Sequence, residues 1–400
     1  MGSLVGAVRP TAGAGPACRP WGDVSGIFVV WLAAVLLALS GCGGSDAVKP
    51  AELTKFKPKA NARVAWSTSV GESTPYVLSP ALHRGSIYAA SHSGELVRLD
   101  VAKGKRVWRV DTKAQLSGGV GAEEGMVVVG SDKGAVLAYS LEGKPLWRAQ
   151  VTSEILSVPR VSGGLVLVRS GDGRIFGLDA ANGQRKWEYQ TTLPPLLLRC
   201  ESGLSLTRNL VLAGLQGGRI VALNAATGTL AWDVVVAQPK GANELERITD
   251  VAASPLLDDE QACAVAYQGR IACFDLAKGA LVWGRDASSA SALASDALTL
   301  YMTEESSVVQ AFDKSSGATL WKQDKLLARQ VSAPVVAGSH LVVGDFEGYV
   351  HVLDREDGSF AARVSTDGTP ILARPLLVGR DVLVQTAGGG LFAISINPLK

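Results

Sequence analysis

Tryptophan recurs along this chain at intervals of about forty residues. From residue 66 onward the sequence contains seven, at Trp66, Trp108, Trp147, Trp187, Trp232, Trp283 and Trp321. The successive spacings are 42, 39, 40, 45, 51 and 38 residues. A period in this range is typical of proteins built from repeated supersecondary units. The spacing therefore restricts the chain to a repeat architecture.

Most of these Trp close a longer motif, Asp-x3-Gly-x3-Trp. The motif begins at Asp100, Asp179, Asn224, Asp275 and Asp313, and a form one residue shorter ends at Trp147. A further copy, at Asp354 and Gly358, has Ala362 at the Trp position. Phe360, two residues earlier on the same strand face, is expected to compensate. Asp or Asn can close a turn and Gly tolerates positive φ, so the motif predicts a turn between two strands.

Two further apolar runs precede each motif, and in most copies a Gly-containing turn such as Ser93-Gly94 separates them. With an earlier run after a Pro, each unit contains four short strands, which is typical of a β-propeller blade. The last copy has three strands between Pro375 and Ile396, and Val64-Ala65-Trp66 is a fourth strand without its first three. The sequence therefore predicts an all-β, eight-bladed β-propeller over residues 62–400, closed by the N-terminal strand.

The N-terminal residues have the pattern of a bacterial export signal. Residues 27–39 are apolar and follow Arg9 and Arg19. The run is shorter than the roughly 20 residues of a membrane-spanning helix and has the length of a signal-peptide core. Leu39-Ser40-Gly41-Cys42 resembles the lipobox, which implies cleavage before Cys42 and acylation of its sulfur. Gly43 favours the outer membrane. We expect a signal peptide over residues 1–41 and a flexible tether over 42–61. An ordinary signal peptide with a chance Cys is the alternative.

Charge and motif content exclude several functions. Lys plus Arg total 39 and Asp plus Glu total 37, a formal net charge of +2. Nucleic-acid binding needs concentrated positive charge, so it is not expected. The four His show no metal-ligand spacing, and no Ser lies in a Gly-x-Ser-x-Gly sequence. We therefore predict a protein that is not an enzyme and that needs no metal and no cofactor.

Cys263 and Cys273 flank the Gln268-Gly269 turn. A two-residue turn would pair Cys263 with Phe274 and place the two Cys on opposite faces of the sheet. A disulfide would require a longer, bulged loop. The sequence leaves this question open.

Two consecutive repeats are longer than the others, and their extra residues follow Trp187 and Trp232. Both segments connect one blade to the next, so they are predicted to be neighbours on one face, where long loops often carry function. The first contains Leu196, Leu198 and Arg199, and the second contains Arg247 and ends at Asp250. An apolar anchor beside Arg and acidic residues suits a protein-binding site. The alternative is that the Leu run is a buried first strand, wholly or in part.

The Trp motif resembles the docking repeats of eight-bladed quinoprotein dehydrogenases. That resemblance alone would imply an enzyme with pyrroloquinoline quinone (PQQ) and calcium. This chain has no adjacent Cys-Cys pair and lacks the long insertions that close the pocket of those enzymes. The dehydrogenase is therefore kept only as an alternative.

Lipobox, tether, eight blades and two long loops together resemble the BamB family of outer-membrane-protein assembly factors. The resemblance implies a lipid-anchored scaffold on the periplasmic face of the outer membrane. Its partners would be the POTRA domains of BamA, other subunits of the β-barrel assembly (BAM) complex and nascent outer-membrane proteins. A periplasmic propeller chaperone with another partner is the second alternative.

The family resemblance also assigns roles to residues of the two long loops. Leu196, Leu198 and Arg199 match a Leu-x-Leu-Arg segment that contacts BamA, and Asp250 matches the first residue of an Asp-x-Asp segment. Ala252 stands at the second Asp, which puts that contact in doubt. Glu246 and Arg247 are nearby candidates to supplement the charge.

Overall fold

The computed structural model describes residues 49–199, 202–207 and 209–399. The predicted signal peptide, Cys42 and the first part of the predicted tether lie outside these residues. All regular elements in the described part are strands, numbered β1–β32 in chain order. They form eight four-stranded antiparallel sheets.

Blades 1 to 4 each consist of four consecutive strands. Their bounds are β2 Ala81–His83, β3 Ser86–Ala90, β4 Glu95–Asp100 and β5 Arg106–Asp111 in blade 1; β6 Leu116–Glu123, β7 Met126–Ser131, β8 Ala135–Ser140 and β9 Pro145–Gln150 in blade 2; β10 Arg160–Ser162, β11 Leu165–Arg169, β12 Arg174–Asp179 and β13 Arg185–Gln190 in blade 3; and β14 Leu204–Leu206, β15 Leu210–Leu215, β16 Arg219–Asn224 and β17 Leu230–Val235 in blade 4.

Blades 5 to 7 repeat this order, and blade 8 combines both ends of the chain. The bounds are β18 Leu256–Leu257, β19 Gln261–Val265, β20 Arg270–Asp275 and β21 Leu281–Asp286 in blade 5; β22 Ala294–Ser295, β23 Thr299–Thr303, β24 Val309–Asp313 and β25 Thr319–Gln323 in blade 6; β26 Val335–Ala337, β27 His340–Gly344, β28 Tyr349–Asp354 and β29 Phe360–Ser365 in blade 7; and β30 Leu376–Val378, β31 Asp381–Gln385, β32 Gly390–Pro398 and β1 Ala60–Ser69 in blade 8.

Blade 8 closes the ring as the sequence predicts. Its strand order is β1-β32-β31-β30, and β1 pairs antiparallel with β32 from Ala60 opposite Pro398 to Ser69 opposite Gly390. Both chain ends are thus held in one sheet. Closure of this kind leaves no open end between blades. The prediction of an eight-bladed propeller closed by the N-terminal strand is confirmed.

The core lies between the blades. Each of eight apolar clusters draws its buried side chains from two adjacent sheets. A Trp on the outer strand covers each seam except that between blades 7 and 8. Trp187, for example, donates from Nε1 to the carbonyl of Ala225 in the next blade at 3.1 Å. A Cβ on Gly228 would collide with the same indole, so the motif Gly is needed for close approach as well as for its φ of 70°.

Each outermost strand carries a β-bulge at one equivalent position. The extra residue precedes the Trp, as Lys186 does in β13, so the pairing with the inner strand shifts there. The same shift occurs in the other seven blades. A bulge interrupts the regular ladder and increases local twist, which makes an edge a poor template for another strand.

Blade 7 lacks Trp for a reason that closure explains. Every other outer strand docks on the turn between the third and fourth strands of the next blade. Blade 8 has no such turn, because its third and fourth strands are the two ends of the chain. Phe360 is buried at 6 % exposure and stacks on Phe56 with 5.2 Å between ring centroids. The bulge between Phe360 and Ala362 puts them on opposite faces of the blade: Phe360 packs in the core between blades 6 and 7, and Ala362 in the core between blades 7 and 8. The expectation that Phe360 compensates for the missing Trp from the same strand face is therefore wrong.

The structure settles the open question on the cysteines. Cys263 lies directly opposite Cys273 on the neighbouring strand, and the two form a disulfide with a Cα–Cα distance of 4.0 Å. The pairing of Cys263 with Phe274, expected from a two-residue turn, is wrong. The loop is longer: Val265 pairs with Ile271, and Gln268 adopts a φ of 48° between them.

Part of the predicted flexible tether lies against the propeller. Ala51 donates from its backbone N–H to Leu327 at 2.9 Å, and Lys59 donates to Ala361 at 2.8 Å. Phe56 packs between these two points. Over residues 49–59 the expected flexibility is therefore replaced by a docked segment, because Phe56 and two backbone groups find partners on blades 6 and 7.

Two glycines offer a matched test of the docking contact. A Cβ on Gly317 would meet the ring of Trp283, whereas a Cβ on Gly338 has open space, and both residues have a φ near 70° (70° and 62°). Gly338→Ala should cost only the left-handed backbone penalty, about 1 kcal/mol. Gly317→Ala should cost about 1–3 kcal/mol more because the indole must shift. Urea unfolding midpoints measure both, and equal losses would show that the docking contact is not tight.

Candidate functional site

The two long connections lie together, as the sequence predicts. One spans residues 191–203 between β13 and β14, and the other spans 236–255 between β17 and β18. Each leaves an outermost strand and enters the innermost strand of the next blade, so both lie on the same face of the ring. We call this the loop face.

Asp250 joins the two loops from inside. Its Oδ2 accepts a hydrogen bond from the backbone N–H of Leu198 at 2.7 Å, and its Oδ1 accepts one from Gly217 at 2.9 Å. The residue is 1 % exposed. A buried carboxylate must be hydrogen-bonded to be tolerated, and here both oxygens are used. Asp250 therefore fixes the position of the Leu-x-Leu-Arg segment.

Arg199 is held at the surface by another loop. Its guanidinium donates to both carboxylate oxygens of Glu154, at 3.0 and 2.5 Å, and lies 5.3 Å from the ring centroid of Tyr76. The hydrogen bond with Glu154 raises the pKa of Arg199 above its already high ordinary value, with a smaller contribution from Tyr76. Over half of the Arg199 side chain remains exposed, so it is positioned and still accessible.

The leucines of the first loop are not a buried first strand. Residues 192–199 form no strand, and the first strand of blade 4 begins only at Leu204. Leu196 is 44 % exposed, whereas Leu198 is half-buried. The loop therefore offers one exposed leucine beside Arg199, and the interpretation of the whole run as core is wrong.

Arg247 lies apart from this group, in an exposed turn of the second loop. Asn243 and Glu246 stabilise that turn: the Glu246 carboxylate accepts from Ala242 N–H at 2.8 Å and from Asn243 Nδ2 at 2.7 Å. Leu245 beside them is strongly exposed. Ala252, at the position of the second Asp, is buried, so this position does not face a partner.

A cleft of about 250 Å³ opens beneath Arg199 and Leu198. The buried Arg169 lines it and donates to the carbonyls of Ser202 at 3.1 Å and Gly214 at 2.5 Å, which holds the base of the first loop against blade 4. Ser157 also lines the cleft, and its buried hydroxyl has no partner among the described residues. The cleft is therefore polar inside and walled by the loop leucines.

Sequence reasoning missed Glu154, Tyr76 and Arg169. Glu154 and Tyr76 lie in connections of ordinary length, and Arg169 ends a core strand, so none carries a local signal. Their roles follow only from contacts between connections that belong to different blades. Within the described residues no group of three or more His, Cys, Asp or Glu is placed to hold a metal ion. No helix of that part of the chain is long and apolar enough to span a membrane.

Asp250→Asn should loosen the first loop without unfolding the ring. An amide has one acceptor oxygen, so one of the two N–H groups loses its partner inside the protein. Hydrogen exchange at the Leu198 amide should accelerate roughly tenfold, equivalent to about 1.4 kcal/mol. Asp100→Asn is the matched control, because Asn224 occupies the equivalent turn naturally. Unchanged exchange at Leu198 would contradict the role given to Asp250.

Known proteins resemble this chain in sequence and in fold. The family described as outer membrane protein assembly factor BamB matches residues 92–323 and 305–398. The protein of that name from Nitrosomonas eutropha is 42 % identical over 92 % of this chain and 95 % of its own length. The crystal structure of BamB from Moraxella catarrhalis superposes with a TM-score of 0.78 at 27 % identity, covering 84 % of this chain and all of that one.

A quinohemoprotein alcohol dehydrogenase from Comamonas testosteroni has a similar fold, with a TM-score of 0.68. It is only 14 % identical, over 83 % of this chain and 76 % of the enzyme. At that identity the likeness extends to the fold alone. The family match, the relative and the Moraxella structure together place this chain in the family of the outer membrane protein assembly factor BamB.

Proposed function

We propose that this protein is a lipid-anchored, non-enzymatic scaffold of the outer-membrane β-barrel assembly machinery. It binds the periplasmic POTRA domains of BamA and works beside the other BAM subunits in delivering nascent outer-membrane proteins for insertion. Cys42 carries the lipid, and the propeller lies on the periplasmic side of the outer membrane. Membership of the BamB family supports the assembly role, and the lipobox residues support the anchor.

The observation that carries the proposal is the way Asp250 and Glu154 preset the first long loop. Asp250 fixes the backbone at Leu198, and Glu154 fixes the guanidinium of Arg199. A binding site gains affinity when its side chains are ordered before the partner arrives, because less conformational entropy is lost on binding. Leu196 and Arg199 then act as an apolar and a charged anchor side by side.

The remaining candidate residues act around these anchors. Arg247, exposed in the second loop, adds positive charge at the rim of the site, where such charge speeds association more than it raises affinity. Asp250 contributes from inside rather than by touching the partner. The cleft beneath Arg199 receives a polar side chain of the partner, which can supply the missing partner for the Ser157 hydroxyl.

Leu196→Ala combined with Arg199→Glu should abolish co-purification with BamA. The double change removes the apolar anchor and places two carboxylates, Glu154 and the new one, side by side. Leu298→Ala with Lys278→Glu is the matched control, since both residues are exposed in turns of the opposite face. The circular dichroism and thermal unfolding of all variants should match the wild type. Retained co-purification of the first variant would refute the site.

Cys42→Ala should move the protein from the membrane fraction to the soluble periplasmic fraction, because the acylated sulfur is removed. Several acyl chains give stable anchoring, and a protein without them has no comparable attachment. Fractionation with immunoblotting measures the change. Unaltered membrane association of the variant would contradict the lipobox assignment.

A pull-down from solubilised outer membrane separates this function from the two alternatives. Capture of BamA supports the scaffold, and capture of other proteins without BamA supports a propeller chaperone with another partner. Calcium-dependent PQQ binding together with dye-linked alcohol oxidation would instead support the dehydrogenase.

A further inference from the structure

Residues 49–59 form a strap across the outer rim of the ring. At its start, the backbone N–H of Ala51 donates a hydrogen bond to the carbonyl of Leu327. Leu327 lies in the connection between β25 and β26 on the loop face. At its end, the ammonium of Lys59 lies 3.6 and 3.5 Å from Asp354 and Asp357, at the turn between β28 and β29. Such turns lie on the opposite face, so the strap crosses the rim from one face to the other at blades 6 and 7.

Arg329 holds the start of the strap by a hydrogen bond. Its side chain is almost fully buried, and it donates to the carbonyl of Ala51 at 3.0 Å and to Asp345 at 2.8 Å. It also pairs with Glu347. Charge-assisted hydrogen bonds in a buried setting are among the stronger polar interactions. The backbone at Ala51 is therefore part of a buried polar network of blade 7.

Arg363 holds the middle of the strap. It donates to the carbonyl of Thr54 at 3.1 Å and to Nδ1 of His351 at 3.1 Å, and it lies 5.1 Å from the ring centroid of Phe56. Burial lowers the pKa of His351, so the imidazole is neutral at pH 7. Its Nε2–H then donates to Asp345 at 2.9 Å. Because Arg329 donates to the same carboxylate, the two arginines that hold the strap belong to one hydrogen-bond network.

Ring closure does not require this strap, because β1 alone completes blade 8. The strap is also basic. Lys49, Lys55 and Lys57 are exposed, and Glu52 is its single acidic residue. Basic segments near a bilayer are attracted to anionic phospholipids by about 1 kcal/mol per side chain.

We propose that the strap fixes the orientation of the propeller on the membrane, with the rim of blades 6 and 7 against anionic phospholipid headgroups. The inference rests on the lipid anchor at Cys42 proposed above. Lys49 is the seventh of the residues that follow Cys42. At most about 3.6 Å per residue, they reach no farther than about 25 Å. The strap is thus held near the bilayer, and its lysines face it.

This orientation has a consequence for the candidate site. The two long loops follow blades 3 and 4, two to three blades around the ring from the strap. With the rim of blades 6 and 7 at the bilayer, these loops are presented away from the membrane. The distance from anchor to site is then set by the rigid ring and no longer by a flexible linker.

Depth-dependent quenching tests the orientation. The acylated, full-length mature protein is reconstituted into vesicles of phosphatidylethanolamine and phosphatidylglycerol that contain a headgroup-labelled quencher lipid. A dye is attached at Lys322→Cys or at Arg148→Cys, each in a Cys200→Ser background. Both residues are exposed and follow the Trp of an outer strand, in blade 6 and in the opposite blade 2. Quenching at position 322 should exceed that at 148 roughly twofold or more, and added salt should reduce the difference.

Two strap variants complete the experiment. Phe56→Ser, which releases the strap, and Lys55→Glu with Lys57→Glu, which reverses its charge, should each reduce the difference between the two dyes. Retained BamA binding in detergent shows that the propeller is intact. Equal quenching of the two dyes in the wild type, or an unchanged difference in Phe56→Ser, overturns the proposal. Protein that does not bind the vesicles at all overturns the lipid anchor and, with it, this inference.

Discussion

The packing of an indole against a glycine turn in the next blade is the contact on which the ring depends. A single four-stranded sheet cannot bury both of its faces, so each blade needs its neighbours. Each Trp of the outer strands covers one seam, and those of blades 1 to 6 also donate a hydrogen bond across it, as Trp147 does to Ala180. The same contact explains why the one blade without a Trp is blade 7. Its neighbour offers no turn on which an indole could dock.

The sequence predicted the architecture closely because the architecture is periodic. Seven Trp, a repeated turn motif and an incomplete unit at each end were enough to count the blades and to place β1 in the last one. The disulfide could not be predicted, because it depends on loop length: two residues at the Gln268 turn give one register, and the longer loop found gives another. The docking of residues 49–59 depends on Arg329 and Arg363, which lie hundreds of residues away in the chain.

The candidate site was predicted in outline and missed in its mechanism. Loop length placed Leu196, Arg199 and Asp250 on one face, as found. The sequence could not reveal that Asp250 would be buried and would hold the Leu198 backbone, because an Asp at a loop end is usually exposed. Nor could it pair Arg199 with Glu154, since that contact joins two connections of different blades. In a repeat fold, contacts between connections of different blades cannot be predicted from local sequence patterns.

The pairing of β1 with β32 also determines the order in which the protein can be completed. Thr68 lies opposite Leu391, a separation of 323 residues along the chain. Synthesis from the N-terminus delivers β1 first and its partner strand last. The first strand therefore has no partner until nearly the whole chain is present, and contacts of such long range are slow to form. Blades 1 to 7 each consist of consecutive strands and can form as the chain lengthens, whereas blade 8 can be completed only by the last strands.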